Sequence, residues 1–452
     1  MVQLPEEFIQ QTRELMGEER FARYLAAFDE EPPVSIRLNP QKVKGALELC
    51  SLATKGTQEG WKVKGEYHSP LTTHQVPWCP LGIYLSERPN FTFDPLLHAG
   101  CYYVQEAASM FIHHILTSHL SPLTTHHSPL TSHLSPLKLL DLCAAPGGKS
   151  TCAISALPEG TQLWANEPVR QRASILLENI TKWGYPDCTV TNSYPRDYAR
   201  SGLTFDIILC DVPCSGEGMF RKDPQTISEW SLQNVEKCWR LQRDIVSDAW
   251  QCLRPGGLLI YSTCTFNTKE NEENVRWMLE HCDADILPVE TRPEWNITGS
   301  LLPGFDAPVY RFIPGITRSE GLFICVLRKR GEWKDERGKK NDLRQKQGLN
   351  ILSPLTTHHS PLTTHLSPLT THHSPLTSSL SYSDAIAYLR GEALTLPPDT
   401  PRGIVTVSFM GHPLGQMKNI GSRANNLYPK EWRIKSTHVP QEYQPVIDLG
   451  TT

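Results

Sequence analysis

From residue 98 to residue 330 short apolar runs alternate with longer amphipathic stretches, and this alternation constrains the fold more than any other feature of the chain. KLLDLCA (138–144), TQLWANE (161–167), CTVTNS (188–193), FDIILCDVP (205–213), GGLLIYSTC (256–264), VYRFIP (309–314) and GLFICVLRK (321–329) read as buried strands. VRQRASILLENITKWG (169–184) and ENEENVRWMLEHC (270–282) separate them with helical patterns. Strands that alternate with helices are expected to form a parallel sheet covered on both faces, because each crossover helix must bury its apolar stripe against the sheet. The expected fold class is therefore α/β, with a Rossmann-like sheet.

Such sheets bind ligands beyond the carboxyl ends of their strands, so the residues that follow each apolar run are the candidate site. After the first run come Cys143, Ala144, Ala145, Pro146, Gly147, Gly148 and Lys149. The ending Gly-Lys-Ser is close to a phosphate loop, but that loop requires glycine where Cys143 stands. The small residues instead suit a turn that lets the backbone approach a cofactor. The second run ends on Glu167, an acid placed to accept both ribose hydroxyls of an adenosine. This pair fits a dinucleotide or S-adenosylmethionine; the plainer alternative is a glycine-rich turn with a solvent-facing acid.

The fourth run ends at Asp211, Pro213 and Cys214, and the fifth at Cys264. Cys210, Cys252 and Cys325 lie inside apolar runs and read as core thiols. Cys214 and Cys264 follow their runs and reach the rim. Two thiols, an Asp and a methyl donor make one reaction intelligible. Carbon 5 of cytosine is too electron-poor to attack a methyl donor, but a thiolate adding at carbon 6 converts the ring to a nucleophilic enamine. The hydrogen on carbon 5 must then leave and the thiol be expelled, while a carboxylate near N3 stabilises the adduct. Spacing alone does not say which cysteine attacks.

A seven-residue unit, S-P-L-T-T-H-H or a near variant, recurs at 68–74, 118–137 and 352–381. A proline in every unit forbids a continuous heptad helix. The units hold eleven of the 17 histidines, which raises a metal-binding tract as one reading. The preferred reading is an insertion without a core, because Pro, Ser and Thr bury little apolar surface, and the copies are expected to mark surface loops. With them excised, four regions remain: 1–97, 98–330 with the insertion at 118–137, a charged and repetitive linker at 331–382, and a small unit at 383–452. Phe8, Leu15, Phe21, Leu25 and Phe28 recur at helical spacing near the start.

The net charge of −4 supplies no global basic field, so a nucleic-acid partner must be met by a local patch. Arg402, Lys418, Arg423, Lys430, Arg433 and Lys435, interleaved with Tyr428 and Trp432, offer one, with the aromatics read as base-stacking groups. No apolar run reaches 18 residues, and the first 17 residues lack an apolar signal core. The 13 cysteines show no CxxC pair, which argues against a zinc site or a disulfide framework. A cytoplasmic monomer without a membrane segment or a metal is expected.

LDLCAAPGGKST (140–151), DVPCSGEGMFRKDP (211–224) and YSTCTFNTKENEENV (261–275), in this order and spacing, resemble the NOL1/NOP2/Sun family of RNA 5-methylcytosine methyltransferases. The resemblance implies that Cys143 to Lys149 form the S-adenosylmethionine loop, that Glu167 binds the ribose, and that Asp211 lies beside cofactor and target base. It implies Cys264 as the nucleophile and Cys214 as the residue that helps release the product; DNA enzymes use the Pro-Cys cysteine as nucleophile instead. SIRLNP (35–40), VPWCPLGIYLSERP (76–89), GCYYVQEAASM (100–110) and PLGQMKNIGSRANNLYPKEWRI (413–434) resemble the bacterial F-type 16S ribosomal RNA enzymes. That similarity implies a small α+β RNA-binding domain at 1–97 and a PUA-like RNA-binding domain at 383–452. The implied activity is carbon-5 methylation of a cytidine, most simply in 16S rRNA or the small ribosomal subunit. Transfer RNA as substrate, or a non-catalytic ribosome-assembly role, are the alternatives. Tyr194 stands where the family often has an adenine-contacting Asp.

Overall fold

The computed structural model describes residues 3–55, 72–125, 136–331, 348–354, 377–436 and 438–447. The chain divides into two compact units, one of residues 1–33, 106–176 and 187–354, the other of residues 34–105, 177–186 and 355–452.

The second unit contains two small sheets. Strands β1 (Val34–Leu38), β2 (Thr72–Gln75), β3 (Gly82–Leu85) and β4 (Tyr102–Val104) form an antiparallel sheet in the order β2-β3-β1-β4.

The first unit is built on a sheet whose core strands are β5 (Lys138–Asp141), β6 (Gln162–Asn166), β7 (Cys188–Thr191), β8 (Phe205–Asp211) and β9 (Leu253–Thr263). These five are parallel, in the order β9-β8-β5-β6-β7. The chain winds from β5 to β6 and β7, then returns to lay β8 on the other side of β5. The winding direction therefore reverses between β5 and β8, the point at whose strand ends sheets of this kind take their ligands. Leu140, Ile208, Leu259 and Cys210 are fully buried in the core beneath it.

The sheet is not parallel throughout. Strands β10 (Ala284–Leu287), β11 (Tyr310–Phe312) and β12 (Leu322–Lys329) join by antiparallel pairing, β12 lying against β9. A strand buried on both faces reads as an apolar run in either direction, so the sequence pattern carries no sign of this reversal. Strand β13 (Ile351–Pro354), from the expected linker, pairs antiparallel with β7 as an edge strand.

Strands β14 (Thr377–Ser379), β15 (Gly403–Phe409), β16 (His412–Asn419) and β17 (Ala424–Asn426) complete the second unit's other sheet. Helix Tyr382–Leu389 starts on Ser381, whose hydroxyl accepts the Asp384 N–H.

The repeat tracts are not confined to loops. The first enters β2 at Thr72, the helix Phe111–Thr125 runs through 118–125 and carries Pro122, and the third supplies the ends that become β13 and β14. Threonine has a high strand propensity, which favours strands at the two tract ends that carry it, in β2 and β14. Residues 56–71, 126–135 and 355–376, which hold most of the units and the histidine tract, lie outside the described residues. Among the described residues no helix is long and apolar enough to cross a membrane.

Near the start, the expected helices are Glu6–Met16 and Glu18–Ala26. Phe8, Met16, Phe21 and Tyr24 are their buried apolar positions, while Leu15, Leu25 and Phe28 are half-buried. The Phe8 ring lies 5.0 Å from Phe220 and 5.6 Å from Trp230, and Tyr24 lies 5.3 Å from Phe266. These helices therefore brace the segments that follow Cys214 and Cys264.

Candidate active site

The turn after β5 brings small residues into a tight path. Gly147 has φ +112°, a left-handed conformation that side chains disfavour, and it caps the helix Gly148–Ala156. Lys149 on the first turn of that helix reaches across the switch point. Its Nζ donates to Asp211 Oδ2 at the end of β8, at 2.9 Å. Ser262 Oγ, at the end of β9, donates to the other Asp211 oxygen at 2.7 Å. Three adjacent strand ends are thus tied through one carboxylate.

The cysteines stand beside this junction. Their sulfurs are 3.2 Å apart, although they come from loops 50 positions apart in sequence, and the Cys264 N–H donates to Cys214 Sγ at 3.3 Å. Both are half-buried, while Cys210 and Cys325 are fully buried as core thiols. The hydrogen bond to Cys264, and then burial, push the Cys214 thiol well above its ordinary range, against a smaller lowering by the Cys264 N–H. The Cys214 thiol is thus disfavoured from ionising while it faces Cys264. Burial alone would lower Lys149, but the charge and hydrogen bond of Asp211, with Cys264 and Asp141, raise it. A fixed cation thus lies within electrostatic reach of the Cys264 sulfur.

Glu167 occupies the next strand tip. It is buried, accepts the Val169 N–H at 3.0 Å and pairs with Arg172 at 3.3 Å. Arg172 also donates to the Ala145 carbonyl at 3.0 Å, which ties this tip to the 143–149 turn. Ala144 N–H donates to the Asn166 carbonyl at 2.7 Å, from the other direction. Tyr194, beyond β7, is 58% exposed; its N–H donates to Asp197 at the start of the helix Pro195–Ser201.

Asp141, which the sequence pattern does not single out, ends β5 beneath the turn. It is fully buried; Ser150 Oγ donates to its Oδ2 at 2.6 Å, and Oδ1 has no hydrogen-bond partner. Burial raises its pKa to about 7, opposed by the Ser150 hydrogen bond and aided by Asp211. An acid held above its unfolded value near 3.8 stabilises the fold fully below that value, and the contribution is lost as pH rises through 7. Asp141→Asn removes this titration. Its melting temperature, relative to the unsubstituted protein, is expected to be more favourable at pH 8 than at pH 5. A difference that does not change with pH contradicts the assignment.

Asp141, with its orphaned Oδ1, and the buried Glu167, whose Oε2 is met by Arg172 at 3.3 Å, lie at neighbouring strand tips around a turn of small residues. A buried acceptor left open in this way, as Asp141 Oδ1 is, suits a ligand that carries hydroxyl or ammonium donors.

Comparison with known proteins shows the family. Residues 133–328 match the model described as 16S rRNA methyltransferase RsmB/F, residues 4–107 the N-terminal domain of 16S rRNA methyltransferase RsmF, and residues 376–434 the RsmF PUA domain. The chain belongs to the RsmB/F methyltransferase family. The ribosomal RNA small subunit methyltransferase F of Cronobacter sakazakii is 32% identical over 341 residues, covering 72% of this chain and 63% of that protein. Its counterpart from Escherichia fergusonii is 33% identical over 343 residues, covering 73% and 64%. The chain thus spans a little under two thirds of the length of these relatives. Two solved structures from Pyrococcus horikoshii share the fold. A methyltransferase homolog has TM-score 0.53 at 23% identity, covering 72% of this chain and 100% of that one. NSun6, determined with SFG, has TM-score 0.53 at 20% identity, covering 73% and 99%.

Within this RsmB/F-type framework, the polar residues behind the cysteines also escape a reading of the sequence alone. Glu217, Glu270 and Asn267 lie inside the quoted motifs, and a carboxylate a few residues from a rim loop is the available signal. The C-terminal PUA sheet carries one correction. Tyr428 is only 4% exposed, its ring centroid 5.3 Å from that of Tyr388, so it is a core residue and not a stacking platform. Arg402, Lys418, Arg423, Lys430 and Lys435 remain exposed.

Proposed function

We propose that the protein transfers a methyl group from S-adenosylmethionine to carbon 5 of a cytidine in RNA, most simply in 16S rRNA. The observation that carries the reading is the pair of sulfurs 3.2 Å apart beside the Lys149–Asp211 pair at the switch point. Residues 98–330 are assigned the chemistry, and residues 1–97 and 383–452 the grip on RNA.

Cys143 to Lys149 and Glu167 would hold S-adenosylmethionine, with Asp141 Oδ1 beneath the same turn. When bound, the cofactor supplies the methyl group that carbon 5 accepts. Cys264 adds as thiolate to carbon 6, forming the carbon–sulfur bond and pushing electron density to carbon 5. Asp211, with both oxygens oriented by Lys149 and Ser262, lies beside the base and stabilises the adduct. Once Cys264 is a thioether it can no longer share a proton with Cys214, 3.2 Å away. Cys214 gives its proton to solvent water and, as thiolate, takes the proton from carbon 5, after which the carbon–sulfur bond breaks and Cys264 leaves as thiolate. Labelled S-adenosylmethionine is expected to mark unmodified small-subunit RNA in preference to transfer RNA or DNA. Equal labelling of transfer RNA would overturn the assignment of substrate.

The exposed cations of the C-terminal sheet are assigned to the RNA phosphates. Lys418→Ala with Arg423→Ala and Lys430→Ala is expected to weaken RNA binding and leave cofactor affinity unchanged. The salt dependence of RNA binding should flatten, by roughly 0.7–0.9 in log–log slope for each phosphate that is no longer neutralised. Unchanged RNA affinity would make the patch an ordinary solvated face.

A further inference from the structure

The two cysteines belong to separate loops, 212–219 after β8 and 264–271 after β9, and their approach has to be maintained by something other than the thiols. Two buried carboxylates cross between the loops in opposite directions. Glu217 leaves the Cys214 loop: its Oε2 accepts the backbone N–H of Phe266 at 2.6 Å and of Asn267 at 3.0 Å. Its Oε1 accepts Trp230 Nε1 at 3.0 Å and Asn267 Nδ2 at 2.9 Å. Glu270 leaves the Cys264 loop: its Oε2 accepts the Ser215 N–H at 3.0 Å and Gln242 Nε2 at 2.7 Å. Its Oε1 accepts Asn267 Nδ2 at 2.8 Å.

Each carboxylate therefore grips the other loop's backbone one to three residues beyond its cysteine. Gly218 adds a direct link, its N–H donating to the Cys264 carbonyl at 2.7 Å, where a Cβ would come within 2.8 Å of that oxygen. Glu217 and Glu270 are 2% and 0% exposed. Burying two acids is expensive, and an apolar pair would fill the space without that cost. What apolar side chains cannot do is hold backbone amides at fixed positions through hydrogen bonds.

We propose that Glu217 and Glu270 are reciprocal positioning residues that set the separation of the Cys214 and Cys264 sulfurs, an inference that rests on both thiols acting in one reaction. Addition needs only Cys264. Release needs both sulfurs at one ring, so it is the step that a loosened clasp impairs. The amide of glutamine places a donor against a ring of donors and forfeits at least one of these hydrogen bonds. Aspartate keeps the charge but retracts it by one methylene.

The test uses Glu217→Gln, Glu270→Gln and the milder Glu217→Asp in the full-length protein, with circular dichroism to check folding. A bifunctional reagent that fluoresces on bridging two thiols, dibromobimane, reads the sulfur separation without RNA or cofactor, and peptide mass mapping identifies the bridged pair. The unsubstituted protein is expected to bridge Cys214 to Cys264. The glutamine variants should bridge at least about tenfold more slowly, and turnover should fall about 100-fold with KM for RNA and cofactor unchanged. Glu217→Asp should lie between. Bridging at the original rate in both glutamine variants overturns the proposal. So does loss of folding in all three variants, which would make the clasp a stability element. If the unsubstituted protein bridges, the variants do not, and no RNA is methylated by any of them, the clasp stands and the proposed function fails.

Discussion

Cys214→Ala is expected to accumulate a covalent protein–RNA complex that survives denaturing electrophoresis and requires S-adenosylmethionine to build up. Cys264→Ala is expected to form none. The difference follows from the pair's asymmetry. On the proposed roles Cys264 attacks as thiolate, and Cys214, whose sulfur lies 3.2 Å away, handles the proton afterwards. Removing Cys214 leaves addition and methyl transfer intact but takes away the group that handles the carbon-5 proton. Removing Cys264 prevents the reaction from starting, so turnover should fall by about 10³-fold or more, as nucleophile losses do in other covalent enzymes. Asp211→Asn should slow the chemistry without trapping the complex, because the ring is less well stabilised from the first step. Trapping by Cys264→Ala and not by Cys214→Ala would reverse the roles.

The second large effect concerns stability. Arg311 and Glu272 form an ion pair in the core, with side chains 1% and 0% exposed. Arg311 Nε donates to Glu272 Oε1 at 2.7 Å, and Nη1 donates to the Phe266 carbonyl at 2.6 Å, two residues beyond Cys264. Arg311→Met would leave a buried carboxylate without its counter-ion, which costs about 3–5 kcal/mol. Urea denaturation should show that loss, and Arg311→Met combined with Glu272→Leu should recover much of it. A loss below about 1 kcal/mol for the single variant would show that water reaches the pair.

Much of this architecture is legible in the sequence, for a physical reason. Strand and helix periods are local, and the rim of a parallel sheet follows from where each apolar run stops. That is enough to put Cys143–Lys149, Glu167, Asp211, Cys214 and Cys264 at strand ends. The direction of β12 is not legible, since an apolar run has no polarity. Nor is the clasp: Glu217 and Phe266 are 49 positions apart, and only the folded sheet brings their loops together. Tyr428 misleads because an aromatic among cations carries no sign of which way it faces, and here it faces the core. The repeat tracts mislead at their ends, where threonines beside β3 and β15 find pairing partners that composition does not reveal.

The central claim is that a methyl group reaches carbon 5 of a ribosomal RNA cytidine. It is tested most directly by incubating the purified protein with S-adenosylmethionine and small-subunit RNA from cells that lack the gene, then digesting the RNA to nucleosides for mass spectrometry. The expected result is 5-methylcytidine at a single position, absent with Cys264→Ala. Methyl groups found only on an exocyclic amine or a ribose oxygen, or 5-methylcytidine formed equally well by Cys264→Ala, would contradict it.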